Sequence, residues 1–423
     1  MPTHAPRLRS LPWLLTTLAA AALTACGGGS SDPSGSTNPP GGASKFTQKA
    51  SWSFTLPPAG QALCYDFDAK AGVNCSGTTW DVKLVSGGRS AELFTNSGAS
   101  GSGAGGAFGG PLVHTWAELQ KWNDALIDPS AGAIPATLYA PDAARGVFAG
   151  SNTIQSAAFE YDLNGNYLLH PNFKVFLITS NSASTDISGA AGPVFALQLT
   201  GYYGGATGTV SGWPSLRWVN LANPGNVRSA SVDASKGWVY FDLASASSTS
   251  ETGNWHIAFN RYNIKLNSGA SGSANVAGYL AKTPAGFYGA DGKPVLGKFN
   301  ASTSLADTLA DLTGPLSGPR TSSAWVKDAI GSPLSPAFTG SYPNALNFSW
   351  YSYYPTDAAA APAGLVQHQL KANPQAAALV KSGEGNSYAR MHLASITYAP
   401  ATPAYVGAQT WTFEFEVQPA AGR

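Results

Sequence analysis

The sequence predicts an all-β protein made of two tandem antiparallel β-rich domains with few, short helices. Three observations predict it. Segments such as Ser51-Trp52-Ser53-Phe54-Thr55-Leu56, Trp238-Val239-Tyr240-Phe241-Asp242-Leu243 and Trp411-Thr412-Phe413-Glu414-Phe415-Glu416-Val417 alternate with period two and are rich in aromatic residues, the pattern of half-buried antiparallel strands. Helical periodicity is confined to residues 115–127 and 302–312. The chain also repeats itself: Asn96-Ser97-Gly98-Ala99-Ser100-Gly101 returns as Asn267-Ser268-Gly269-Ala270-Ser271-Gly272, in each case after a Trp-led strand.

The first element is not part of the fold. Residues 1–10 carry Arg7 and Arg9 and no acid, and 11–22 form an apolar run. That run is shorter than the ~20 residues a membrane helix needs, but it has the length of a signal-peptide core. Leu23-Thr24-Ala25-Cys26 follows. Small residues suit a processing protease, and a cysteine at the cut can carry acyl chains. The tetrapeptide resembles the lipobox of bacterial lipoproteins, which implies a signal over 1–25 and lipid attachment at Cys26. The alternative is an ordinary secretory signal in which Cys26 is incidental. Gly27, by resemblance to lipoprotein sorting rules, points to the outer membrane, with the lipid as the sole membrane attachment. Residues 27–44 are nearly all Gly, Ser, Pro, Thr and Asn. Such a segment buries too little apolar surface to offset its ordering entropy, so 26–45 is expected to be a flexible tether.

The remaining chain is long enough for two domains of ordinary size, here 46–225 and 226–423. The junction falls in the polar stretch 222–229, with Asn223-Pro224-Gly225-Asn226. Hydrophobic residues make up 43% of the sequence, enough for sizeable cores, while charged residues are only 11%, against about 25% in typical proteins. The formal net charge is +1 and no Lys/Arg cluster stands out. The electrostatic footprint of a nucleic-acid binder is therefore missing. Of three cysteines, Cys64 and Cys75 remain after Cys26. They flank a turn between strand-like segments in an exported chain, so a disulfide is expected. Two cysteines alone make no structural zinc site.

The repeat extends beyond the hexapeptide. Cys64-Tyr65-Asp66-Phe67 followed by Thr79-Trp80-Asp81-Val82-Lys83-Leu84 matches Val239-Tyr240-Phe241-Asp242-Leu243 followed by Asn254-Trp255-His256-Ile257-Ala258-Phe259. Later, Phe159-Glu160-Tyr161-Asp162 leads to His170-Pro171-Asn172-Phe173, and Phe348-Ser349-Trp350-Tyr351 leads to His368-Gln369-Leu370-Lys371. Phe195-Ala196-Leu197-Gln198-Leu199 pairs with Ala389-Arg390-Met391-His392-Leu393.

On these residues each copy resembles the HmuY family of haem-binding outer-membrane lipoproteins. The features that carry the resemblance are the Tyr240-Phe241 strand, the Trp-led strand from Trp255 to Ile264, the Asn267-Ser268-Gly269 turn, and the late hairpin that holds Tyr388-Ala389-Arg390-Met391-His392-Leu393 and ends at Phe413-Glu414-Phe415. The resemblance implies an all-β fold that captures haem, without catalysis, for uptake by an outer-membrane receptor. The best-known members ligate iron with two histidines of one domain. The later of these falls near residues 348–354, where this chain has Trp350, Tyr351, Tyr353 and Tyr354 instead. The Asp that follows the strand Trp is present as Asp81 and replaced by His256 in the second copy. Bis-histidine ligation therefore does not carry over residue by residue.

Haem iron accepts His, Met, Cys or Tyr. His170 and His368 are the first candidates, because both precede a late strand; the bland reading is a histidine bonded to nearby backbone. Met391 is a second-rank candidate whose alternative is core filler. His256 could line a pocket or sit at the surface. Trp350, Tyr351, Tyr353 and Tyr354 could stack on a porphyrin or sugar ring, or simply pack between strands. No Gly-x-Ser-x-Gly elbow, His-Glu-x-x-His or P-loop occurs. The Gly-rich run 101–110 opens no helical pattern suited to phosphate. The competing expectation is a surface binding or adhesion module that uses the same scaffold for a glycan or protein.

Overall fold

The computed structural model describes residues 43–422 apart from Leu112, Ser151, Thr153, Ala337 and 400–406. The signal segment, Cys26 and the tether up to residue 42 lie outside the described residues. Strands dominate, all paired antiparallel, and the helices are single turns. The expected all-β class is therefore what the chain adopts. Of the two helical stretches, 115–127 yields one turn, Trp116–Leu119, whose first turn is closed by a reciprocal Thr115–Glu118 capping box. The other yields the turns Ser304–Asp307 and Leu309–Thr313. No helix among the described residues is long and apolar enough to cross a membrane.

Two four-stranded sheets have the same internal order. In one, Ala71–Val73, Ala62–Asp66, Val82–Ser86 and Ala91–Thr95 lie side by side. In the other, the neighbours are Ser247–Thr249, Val239–Asp242, Ile257–Asn260 and Asn263–Leu266. Each packs against a larger sheet. The first of these runs Gln48–Thr55, Ala408–Gln418, Tyr388–Ala399, Ala376–Lys381, Gly106–Phe108. The second runs Asn223–Ser231, Val210–Asn220, Val194–Gly204, Val175–Thr179, Ala277–Lys282.

The two cores gather different parts of the chain. Trp52, Tyr65, Phe67, Val82 and Leu84 pack with Trp350, Met391, Trp411, Phe413 and Phe415, so the first core joins the beginning of the chain to its end. The second is built from the middle: Phe159, Phe176, Leu197 and Trp218 pack with Phe241, Ile257, Phe259 and Leu266. Alternation explains the partition. On the strand Ala408–Gln418, Trp411, Phe413, Phe415 and Val417 are buried on one face, while Thr410, Thr412 and Glu414 are more exposed on the other. Burying a large apolar side chain contributes about 1.5–3 kcal/mol, and in each core a buried indole N–H finds a backbone carbonyl. Trp218 Nε1 donates to Leu243 O at 2.9 Å and Trp350 Nε1 to Leu334 O at 2.6 Å. The stretch 222–229, read from sequence as a junction, is mostly the strand Asn223–Ser231, hydrogen-bonded to Val210–Asn220. The chain passes between the cores twice, at Ala143–Arg145 and Ala329–Gly331, and these two segments pair with each other.

The repeated hexapeptide forms the same staple in both cores. Asn96 Nδ2 donates to Trp80 O at 2.8 Å, and Asn267 Nδ2 to Trp255 O at 3.1 Å. Ser97 Oγ accepts from Asp142 N at 2.9 Å, and Ser268 Oγ from Asp328 N at 3.3 Å. Gly98 and Gly269 adopt φ of +50° and +53°, and a Cβ at either would collide with the carbonyl of Asp142 or Asp328. Cys64 and Cys75 form the expected disulfide, with Cα atoms 5.2 Å apart.

Candidate functional site

Two clefts lie at corresponding places, each between the last strand of a four-stranded sheet and the loop that follows a crossover strand. The larger, about 760 Å³, is walled by residues 143–149 and 154–156 on one side and by Trp238, Glu251 and 262–265 on the other. The smaller, about 390 Å³, lies between 90–92 and the residues Ser335, Pro336 and Phe338, and is floored by Phe348, Trp350 and Tyr351. Neither is lined by a histidine, methionine or cysteine.

Of the five described histidines, His114 and His392 flank Ala377 on one sheet, and the others lie on separate segments. His368 sits in the loop before the strand Leu370–Ala372, and its Nδ1 lies 2.7 Å from the Tyr353 hydroxyl. Its Nε2 has no hydrogen-bond partner among the described residues, and the side chain is half-buried. An imidazole oriented through one nitrogen and open at the other is how ligating histidines are held. His170 lies on the strand Leu169–Pro171; its Nε2 is buried and without a partner among the described residues. Burial lowers the His170 pKa and keeps it neutral. His256 is mostly buried rather than on the surface. Its Nδ1 comes within 2.9 Å of Asp242 Oδ1, close enough for an ion pair but without hydrogen-bond alignment. Burial lowers its pKa, and Asp242 opposes the shift. His392 is also buried: Trp116 stacks on it at 4.1 Å, and its nitrogens meet Pro374 O and Glu414 Oε2. His114 packs against Phe108 and Trp122.

His170 and His368 do not occupy equivalent positions. The strand Phe159–Tyr161 pairs Phe159 with Pro171, and Tyr351–Tyr353 pairs Tyr351 with Ala372. Leu169 N donates to Tyr203 Oη as Leu370 N does to Tyr398 Oη, and Asn172 N reaches Ala158 O as Asn373 N reaches Trp350 O. In this register Lys371 stands where His170 does, and Tyr167 where His368 does. The left-handed backbone of His368, φ +68°, recurs at Tyr167, φ +58°, so it belongs to the hairpin's geometry and not to a ligand. The intervening loops, 162–168 and 354–369, differ in length, which misaligns a count along the sequence.

The aromatic cluster divides by burial and partner. Trp350 and Tyr351 are buried; the Tyr351 hydroxyl is within 3.2 Å of both Ala91 N and Ala91 O. Phe348 stacks on Tyr351 at 5.1 Å and Phe338 covers Phe348. Tyr353 serves His368 instead, and Tyr354 is half-buried beside it in sequence. Met391 is fully buried in the first core, the filler alternative.

Sequence reading missed a carboxylate cluster. Asp66, Asp68 and Asp81 bring oxygens within 4.8 Å of one another. Asp81 is fully buried and accepts from Phe67 N and Gly383 N, each at 2.8 Å. Ser387 Oγ donates to Asp68. Burial, with smaller contributions from Asp66 and Asp68, pushes the Asp81 carboxyl up to about 8, and the bonds from Gly383 N to Asp81 and from Ser387 Oγ to Asp68 clamp the 382–387 turn onto the first strands. Three carboxylates can receive a hard cation; at Asp81 one backbone N–H already occupies part of each oxygen's acceptor capacity. The corresponding place in the second core is the Asp242–His256 pair. The only warning in the sequence was the acid next to a strand tryptophan.

The HmuY family model, described as HmuY protein, matches residues 234–407. Proteins of that family are binding proteins and not enzymes, and are typically extracellular or surface-associated. The matched segment contains His256, His368, Met391 and the 348–354 aromatics and ends before the strand Ala408–Gln418. The first half of the chain lies outside it. No curated protein matches the chain.

Proposed function

We propose that this chain is an exported, lipid-anchored, non-catalytic protein that captures haem or a related tetrapyrrole at the outer membrane and hands it to an outer-membrane receptor. Cys26 is the lipidation site in this reading, and 26–45 the tether. The observation that carries it is His368. It lies within the HmuY-matched segment, its Nδ1 is hydrogen-bonded to the Tyr353 hydroxyl, and the half-buried ring has no partner for Nε2 among the described residues. One oriented imidazole fits haem iron, whereas the two-histidine arrangement of the best-known members does not carry over, since residues 348–354 hold no histidine. Haem supplies the iron that such an imidazole binds; the chain supplies orientation through Tyr353. Titrating haemin into the purified protein should give a saturable Soret shift. A flat titration overturns the reading.

In the same proposal the halves 46–225 and 226–423 are copies of one unit with exchanged late strands. The matched sheet orders and the paired Asn–Trp, Ser–Asp staples support it. Each core then combines the early strands of one copy with the late hairpin of the other. The mutual pairing of 143–145 with 329–331 is what an exchange about a local two-fold produces.

A further inference from the structure

We propose that the larger cleft is a second binding site, for an acidic saccharide of the uronic-acid kind. This site is independent of haem. Three features of the cleft carry the inference: a cation without an anion, an exposed indole, and a rim of unused amide groups.

The cation is Arg145, on the crossover strand. It is half-buried and lines the cleft, yet its guanidinium makes no ion pair or hydrogen bond among the described residues. The other charges facing the cleft are engaged. Lys265 Nζ is 3.9 Å from Glu251 and lies over the rings of Trp238, Tyr240 and Trp255 at 4.4, 4.9 and 5.6 Å. The Asp142 carboxylate is buried and accepts from Thr95 N and Thr95 Oγ1. Arg145 is held where it is by a neighbour that has no side chain. A Cβ at Gly331 would come within 2.5 Å of Arg145 Cδ and 2.9 Å of Nε. The staple hydrogen bonds place Gly331 at the position in the other half that corresponds to Arg145, so the smaller cleft lacks the cation. A guanidinium presents a planar fork that matches a carboxylate.

The indole is Trp238, 39% exposed, with Tyr262 nearby in the wall. A broad aromatic face supplies contact area for the C–H face of a pyranose at little entropic cost. Gln155 and Asn263 are exposed on the rim with no side-chain hydrogen bonds among the described residues, and each offers donors and an acceptor for ring hydroxyls. A stacked ring, hydrogen-bonded hydroxyls and one carboxylate together describe an acidic sugar. The absence of any iron-ligating side chain other than the Tyr262 phenol in the lining separates this cleft from a haem site.

Calorimetric titration of the full chain with a uronate oligosaccharide and with its neutral counterpart tests the assignment. The acidic probe should bind at least tenfold more tightly. Arg145→Ala should abolish that preference, Arg145→Lys should keep part of it, and Trp238→Ala should weaken both probes. Gly331→Ala, which leaves the guanidinium in place chemically but displaces its stem, should reduce the preference as well. The haemin response of all four variants should equal that of the wild type. No binding of either probe, or a preference that survives Arg145→Ala, overturns the proposal. Loss of the haemin response in Arg145→Ala overturns it too, by making the cleft part of the haem site.

Discussion

The buried Asp81 makes stability depend on pH in an unusual direction. Its folded-state carboxyl titrates near 8, chiefly because of burial, against an ordinary value of 3.8. Between those values the folded protein retains a proton that the unfolded chain has released. Stability is therefore fullest below about pH 4 as far as this group is concerned, and it falls as pH rises through 8. The slope is at most about 1.36 kcal/mol per pH unit, or roughly 6 kcal/mol at most across the window. Asp142 and Asp328 are also raised by burial and act in the same sense, so a variant is needed to isolate Asp81. Asp81→Asn removes the titration but turns an amide nitrogen toward one of the two backbone N–H groups that Asp81 now accepts from, a cost of about 1–3 kcal/mol. Urea denaturation at pH 5, 7 and 9 should show the variant less stable than wild type at pH 5 and equal or more stable at pH 9. Parallel pH profiles for the two proteins would refute the account of Asp81 as a buried carboxyl with a raised pKa.

Other outcomes follow from the same geometry. Tyr353→Phe removes the hydroxyl that orients His368, so haemin affinity should fall about 10–100-fold while the urea midpoint changes little; an unchanged affinity would deny the hydrogen bond a role. Met391→Ala leaves a hole in the first core and should cost about 2–5 kcal/mol, with the haemin spectrum intact; a spectral change would return Met391 to the ligand set. Cys64→Ser with Cys75→Ser opens a short loop and should lower stability by about 2–3 kcal/mol, measured against the oxidised wild type; no difference would mean that the bond constrains nothing the strands do not already hold.

The β class was legible because aromatic alternation reports directly on which face of a strand is buried, as Trp411, Phe413 and Phe415 demonstrate. The disulfide was legible from two cysteines around one turn. The hexapeptide was recognisable as a repeat, though its work, tying Trp80 and Trp255 carbonyls to asparagine amides, shows only in three dimensions. Core membership was not legible, because alternation says that a strand has a buried face without saying whose. Hence the pairing of Val175–Thr179 with Ala277–Lys282, and of Ala376–Lys381 with Gly106–Phe108, had no sequence signal. The matched-histidine argument failed for a related reason: loop length shifts a count, whereas hydrogen-bond register does not. Arg145 gave no warning either, since an isolated arginine in a strand reads as a solvated side chain until its neighbours are known.

The most direct test of the central claim is a side-by-side haemin titration of wild type and His368→Ala, followed in the Soret band. The account predicts a saturable shift in the wild type and its loss or marked weakening in the variant, with His170→Ala behaving as wild type. An identical Soret response in His368→Ala and wild type would contradict it.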